Sequence, residues 1–149
     1  MGHTHQEIRV EAPPDHVFEF ACMVDRRREW NSYQELFHVT APMSVVGTSY
    51  EAVLDLAGQS TSYRGAVTEV EPARLIHVHE IADHGTMDWF YRFAPADGGT
   101  LFTLDVNYEK TGTFAGIVDI IYHGALERAT RHIVENFATL ARTKVAQPA

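Results

Sequence analysis

The chain has 149 residues, 45% of them hydrophobic and 21% charged, enough apolar material for one folded domain, which at this size buries roughly 68–70% of its unfolded surface. A net charge of −8 disfavours nucleic acid and anionic membranes as partners, because no basic face offsets the repulsion. The lone Cys22 excludes an intramolecular disulfide, and no apolar run approaches the roughly 18 residues of a membrane span or resembles a signal-peptide core. A soluble, cytoplasmic protein is therefore expected.

Gln6 to Ala12 sets Ile8, Val10 and Ala12 against Glu7, Arg9 and Glu11, which reads as a half-buried strand. Pro13-Pro14-Asp15 ends it, and Asp15 is placed to cap a short helix carrying Val17, Phe18, Phe20 and Ala21. A second helical piece spans Asp25 to Trp30; its Arg26-Arg27-Arg28 run reads as a solvated face. Glu35 to Ala41 forms the next strand. Gly47 opens another, in which Tyr50, Ala52, Leu54 and Leu56 share one face. Ser60–Glu71, Arg74–Ala82, Thr86–Ala94 and Thr100–Glu109 complete a meander, separated by Gly58, Pro72, Asp83-His84-Gly85 and Asp97-Gly98-Gly99.

Phe114 to Arg142 reads as one long helix, spanning roughly 40 Å at its rise per residue. Val118, Tyr122, Leu126, Ala129, Ile133, Phe137 and Leu140 form its apolar stripe, opposite Glu127, Arg128, Arg131, Glu135 and Arg142. A single amphipathic helix among strands must lay that stripe on the sheet. The expected fold is α+β: a curved antiparallel sheet of about seven strands around a long C-terminal helix, with two short helices after the first strand. One domain covers 1–149, its core lying within about 5–143.

Strand parity turns Phe102, Leu104, Val106 and Tyr108 to one face, and Met87, Trp89, Tyr91 and Phe93 likewise, with Phe90 as an exception on the other face. With Tyr50 and Tyr63 the inner face is heavily aromatic. Such side chains suit either a solid core or a cavity, since their polar tips need partners or a ligand.

The order EAPPDHVFEF, DRRREWNSY, VGTSYEA, VTEVEPARLI and WFYRFAPADGGTLFTLDVNYE, followed by the terminal helix, resembles the helix-grip fold of the START-like superfamily, also called SRPBCC or Bet v 1-like. More narrowly it resembles the polyketide cyclase/dehydrase group, which includes aromatases. The resemblance implies an elongated cavity between sheet and C-terminal helix, entered near the short helices. Trp30 would lie at or near that pocket and Trp89 on its wall. Aromatase-type members often carry a cavity arginine near the end of the fourth strand. Here the nearest is Arg64, which parity turns outward unless a bulge shifts the register.

Three residues are candidates for chemistry. Asp119 lies roughly 60° from the stripe's centre, where it is either a cavity acid or base with a raised pKa or an N-terminal acid held by the helix dipole. Tyr122 is central to the stripe, and Asn136, read as facing towards it, can bond a ligand carbonyl or a neighbouring polar group. His123 and His132 fall on the stripe's edges. Candidates for ligand contact are Trp30, Tyr33, Phe37, Tyr50, Leu54, Tyr63, Trp89, Tyr91, Phe102, Leu104 and Tyr108. His77-x-His79, near His84 and Asp88, is a weak metal pattern on the outer face, and neither metal nor cofactor is expected.

These readings favour a cofactor-independent cyclase or dehydratase acting on a hydrophobic, aromatic-precursor chain such as a polyketide intermediate. The alternative is a non-catalytic carrier for a lipid, quinone or polyketide; a third is a protein-interaction module. A monomer and a homodimer are both compatible with the sequence.

Overall fold

The computed structural model describes the backbone of residues 2–110 and 115–146 and the side chains of 2–110 and 121–142. The chain runs β1 (Gly2–Val10), α1 (Pro14–Cys22), a 3-10 turn (Val24–Arg26), α2 (Arg27–Trp30), β2 (Gln34–Phe37), β3 (Ser49–Leu56), β4 (Gln59–Glu71), β5 (Leu75–Ala82), β6 (Gly85–Ala96), β7 (Gly99–Lys110) and α3 (Ala115–Ala146). The strands form one antiparallel seven-stranded sheet in the order β1-β7-β6-β5-β4-β3-β2. α3 packs against β1, β7 and the two short helices. This is the helix-grip architecture.

Alternation along the strands decides what meets α3. Tyr50, Ala52, Leu54 and Leu56 are buried from β3; Met87, Trp89, Tyr91 and Phe93 from β6; Phe102, Leu104, Val106 and Tyr108 from β7. α3 answers with Tyr122, Leu126, Ala129, Ile133 and Phe137. Its buried stripe is wider than expected, because Thr130, Val134 and Ala141 are also covered while Leu140 is only half-buried. At the α1/α2 end aromatic rings pack face to edge. Phe137 stacks on Phe102 at 4.2 Å, meets Trp30 edge to face at 5.0 Å and Phe20 at a tilt at 5.6 Å.

Several boundaries move. β1 starts at Gly2, not Gln6: Thr4 is polar, yet it takes the inward position opposite Val106 and is buried, so backbone pairing with β7 continues. β2 ends at Phe37, because His38 turns to a φ of 53°. Asp15 does not cap α1. Pro13 holds the cap position and Pro14 the first turn, where its missing N–H costs nothing, leaving Asp15 beside the helix's positive end.

One row of register partners crosses the inner face: Tyr50, Gly65, Glu80, Met87, Tyr108 and Gly2. Its glycines make room for its tyrosines. A Cβ on Gly65 would lie 2.7 Å from the Tyr50 hydroxyl, and one on Gly2 would overlap the Tyr108 ring. Gly65 thus lets the Tyr50 ring cross β4 towards Glu80.

Candidate functional site

Glu80 is fully buried on the inner face of β5. Three side chains donate to its carboxyl group. Gln34 Nε2 reaches both oxygens at 2.9 and 3.0 Å, Tyr50 Oη reaches Oε2 at 2.5 Å, and Trp89 Nε1 reaches Oε1 at 3.0 Å. Burial pushes the Glu80 pKa up, opposed by these hydrogen bonds and by the Arg27 charge. Burial and the adjacent Glu80 charge also push the Tyr50 phenol well up. Tyr50 can turn its hydroxyl to accept, so a proton held by Glu80 can point at it without moving any other atom.

Arg27 is the second charged group inside, with 3% exposure. Its Nη1 donates to Tyr91 Oη at 3.0 Å, and its guanidinium lies over the Trp30 and Tyr91 rings at 4.7 and 5.2 Å. The other two arginines of the run turn outward: Arg26 pairs with Glu29 at 3.0 Å and Arg28 reaches the Ser32 carbonyl at 3.3 Å. Around Arg27 the donors are under-used. Arg27 Nε, Trp30 Nε1 and Asn31 Nδ2 are buried without a hydrogen-bond acceptor. Three orphan donors from one short segment are what a carbonyl-bearing ligand or an ordered water would satisfy.

A tyrosine cluster lies towards the N-terminal half of α3. Tyr122 Oη contacts Met87 Sδ at 3.5 Å, its ring meets the Tyr108 edge at 5.1 Å, and its hydroxyl and that of Tyr63 are hydrogen-bonding neighbours. Burial raises the pKa of Tyr63 and Tyr122. Tyr108 Oη lies 3.1 Å from His123 Nδ1.

Two of the pockets among the described residues stand out, and neither is bordered by Trp89, Tyr91, Tyr108 or Tyr122. A groove of about 1140 Å³ separates α1 and the 3-10 turn from residues 39–44 and the 72–73 turn, with Phe18, Cys22, Met23, Val39 and Pro42 among its walls. This is the short-helix end at which the family resemblance implies an entrance. Cys22 lies close enough to Arg27 to feel its charge, so the groove and the buried arginine are neighbours. The second pocket, about 400 Å³, lies at the β2–β5 end beside Phe37, Tyr63 and Ile81.

The expected ligand-contact residues divide. Tyr50, Leu54, Tyr63, Trp89, Tyr91, Phe102, Leu104 and Tyr108 are buried on the inner face. Trp30, expected at or near the pocket, is buried at 1% between Tyr91 and Phe137. Tyr33 is half-buried and bonds His132 at 2.7 Å. Phe37 is 39% exposed, being on an edge strand that ends at that residue. Asn136 also differs from expectation: it is exposed, because the buried positions of that turn are Ile133, Val134 and Phe137. Asp119 lies outside the described side chains. Arg64 is exposed; the bulge falls after Val67, too late to turn it inward, so the buried arginine comes from α2 instead of β4. His77 and His79 both reach Asp88 Oδ1 at 2.8 Å on the outer face.

The family model described as polyketide cyclase / dehydrase and lipid transport matches residues 1–142. The chain belongs to that family. Among solved structures, this member of the cyclase/dehydrase and lipid transport family is similar to a protein from Thermus thermophilus at 16% identity and a TM-score of 0.82, covering 96% of this chain and 99% of that one. It is also similar to the Zhui aromatase/cyclase from a Streptomyces species, at 17% identity and a TM-score of 0.79, covering 97% and 95% of the two chains. A Chromobacterium violaceum protein matches at 17% identity and a TM-score of 0.72, covering 94% and 96%. At these identities the likenesses establish the fold. No curated protein matches the chain in sequence.

Among the described residues no helix is long and apolar enough to cross a membrane.

Proposed function

We propose that the protein is a cytoplasmic, cofactor-independent cyclase or dehydratase that takes a hydrophobic, carbonyl-bearing chain of the poly-β-ketone type between the sheet and α3. The observation that carries this reading is the buried pair of Arg27 and Glu80 in an otherwise aromatic interior, with unpartnered donors on Arg27, Trp30 and Asn31. The apolar groove beside α1 is the route in, and the orphan donors take the ligand's carbonyl oxygens. Family membership supports the substrate class.

Ring closure needs a proton removed from a methylene between two carbonyls, attack of that carbon on a third carbonyl, and a proton delivered to the resulting alkoxide. Loss of water then gives the unsaturated product. Arg27 polarises the accepting carbonyl and offsets its developing charge. Glu80, whose pKa burial raises, exchanges the proton through Tyr50, 2.5 Å away. Tyr122, on the helical wall, is a second candidate for that proton, as is Asp119 from its place in the sequence, and the shape of the interior brings the reacting carbons together.

A specific observation favours the carrier alternative. Glu80 is already hydrogen-bonded by three protein side chains, as a group with a purely positioning role would be. The test is turnover of a synthetic poly-β-ketone thioester, with dehydrated product followed by mass spectrometry. The enzyme reading expects product above the buffer rate and a loss of roughly 10²–10⁴-fold in Glu80→Gln, with probe binding retained. Binding with no product above buffer would leave the carrier reading in its place.

A further inference from the structure

The outer face of the sheet carries a cluster that the interior site does not use. Because Thr4 turns inward, its neighbours His3 and His5 both stand on the outer face of β1. Their register partners on β7 are Asn107 and Asp105. Asp105 Oδ1 is 2.6 Å from His5 Nδ1 and 3.3 Å from His3 Nε2, and the three ligand atoms lie within 4.8 Å of one another.

The surroundings of these atoms are arranged as a metal site requires. A ligating histidine needs its second nitrogen held by an acceptor, which fixes the tautomer and aims the free lone pair. His3 Nδ1 bonds Asn107 Oδ1, leaving Nε2 aimed at Asp105, and His5 Nε2 lies 3.5 Å from Glu7 Oε2, leaving Nδ1 aimed at the same place. Arg92 Nη1 holds the other oxygen, Asp105 Oδ2, at 2.8 Å. Each ligand thus has a supporting partner from a different position. The carboxylate is 13% exposed while the histidines are 53% and 50% exposed, so water can complete the coordination.

We propose that His3, His5 and Asp105 bind a divalent transition-metal ion of the zinc class. Two imidazoles, which are borderline nitrogen donors, together with one carboxylate suit zinc, nickel or copper rather than magnesium or calcium. An ion roughly 2.0–2.2 Å from each ligand atom would replace the proton now shared by His5 and Asp105. Because β1 is an edge strand, the ion also ties that edge to β7.

The test uses the full chain, stripped with a chelator and dialysed, and zinc alone as the probe. Calorimetric titration should show one zinc bound per chain, accompanied by a rise in thermal midpoint. His5→Ala and Asp105→Asn should each weaken binding by at least about tenfold, as should His3→Ala, while the supporting change Asn107→Ala costs roughly 10–100-fold. All these residues lie on the surface of the sheet, and circular dichroism checks that each variant is folded. His77→Ala removes a histidine from the separate cluster around Asp88 and should leave zinc binding unchanged. Absence of a saturable zinc heat in the wild type overturns the proposal. So does zinc binding that is lost in His77→Ala but kept in His5→Ala.

Discussion

Removing the Glu80 carboxyl group should be far worse than neutralising it. Glu80→Ala strands Gln34 Nε2 and Trp89 Nε1, two donors fixed in place that can do nothing but donate, while Tyr50 can rotate its hydroxyl. At roughly 1–3 kcal/mol for each stranded donor, the substitution should cost about 2–6 kcal/mol, a large share of the 5–15 kcal/mol typical of a domain. Glu80→Gln keeps an oxygen for Gln34 and Trp89 and can offer its amide to Tyr50, so its cost should stay under about 1.5 kcal/mol. The pH dependence supplies a sign. Because the folded pKa lies above 4.5, the native state holds a proton that the unfolded chain releases, so the wild type loses stability as pH rises from 4.5 through the folded value. Gln does not titrate, and its cost relative to the wild type should therefore shrink over that window. Urea unfolding of the three proteins at several pH values measures both effects. Equal midpoints for Ala and Gln would refute the cage argument, and a cost for Gln that grows with pH would refute the raised pKa.

Gly65→Ala places a methyl group against the Tyr50 ring and should cost about 1–3 kcal/mol by overpacking, while loosening the Tyr50–Glu80 bond. An unchanged urea midpoint would mean that Tyr50 is not pinned across β4. Burial pushes the Cys22 thiol from 9.0 up to about 11, so at pH 8 the native protein should react with a disulfide reagent ~100-fold more slowly than the urea-unfolded chain. Equal rates would mean that the groove wall exposes the thiol freely.

Much of this fold is legible because it rests on periodicity. Tyr50 to Leu56, Met87 to Phe93 and Phe102 to Tyr108 alternate without interruption, and those strands bury the faces that parity predicts. Edges are less legible, since β1 is extended through Gly2 to His5 by backbone pairing that no apolar residue announces. The charged centre of the site was missed for a different reason. Arg27 sits within a basic run that reads as solvated, yet it lies three residues before Trp30 and so shares its helical face. Glu80 follows Ile76 and Val78 on the inner side of β5, and His77 and His79 alternate with them outside. Parity alone places Glu80 inside. The composition rule that charges belong in water obscured it.

The most direct test of a ligand site at the orphan donors is the indole N–H spectrum of ¹⁵N-labelled protein. Trp30 Nε1 is buried without an acceptor, whereas Trp89 Nε1 is held by Glu80 at 3.0 Å, so the chain's two tryptophans report on different places. Titration with benzoylacetone, an aromatic 1,3-diketone, should shift the Trp30 signal saturably, with the Trp89 signal moving less. Arg27→Met should weaken that shift. A Trp30 signal that stays in place at saturating probe would contradict the account.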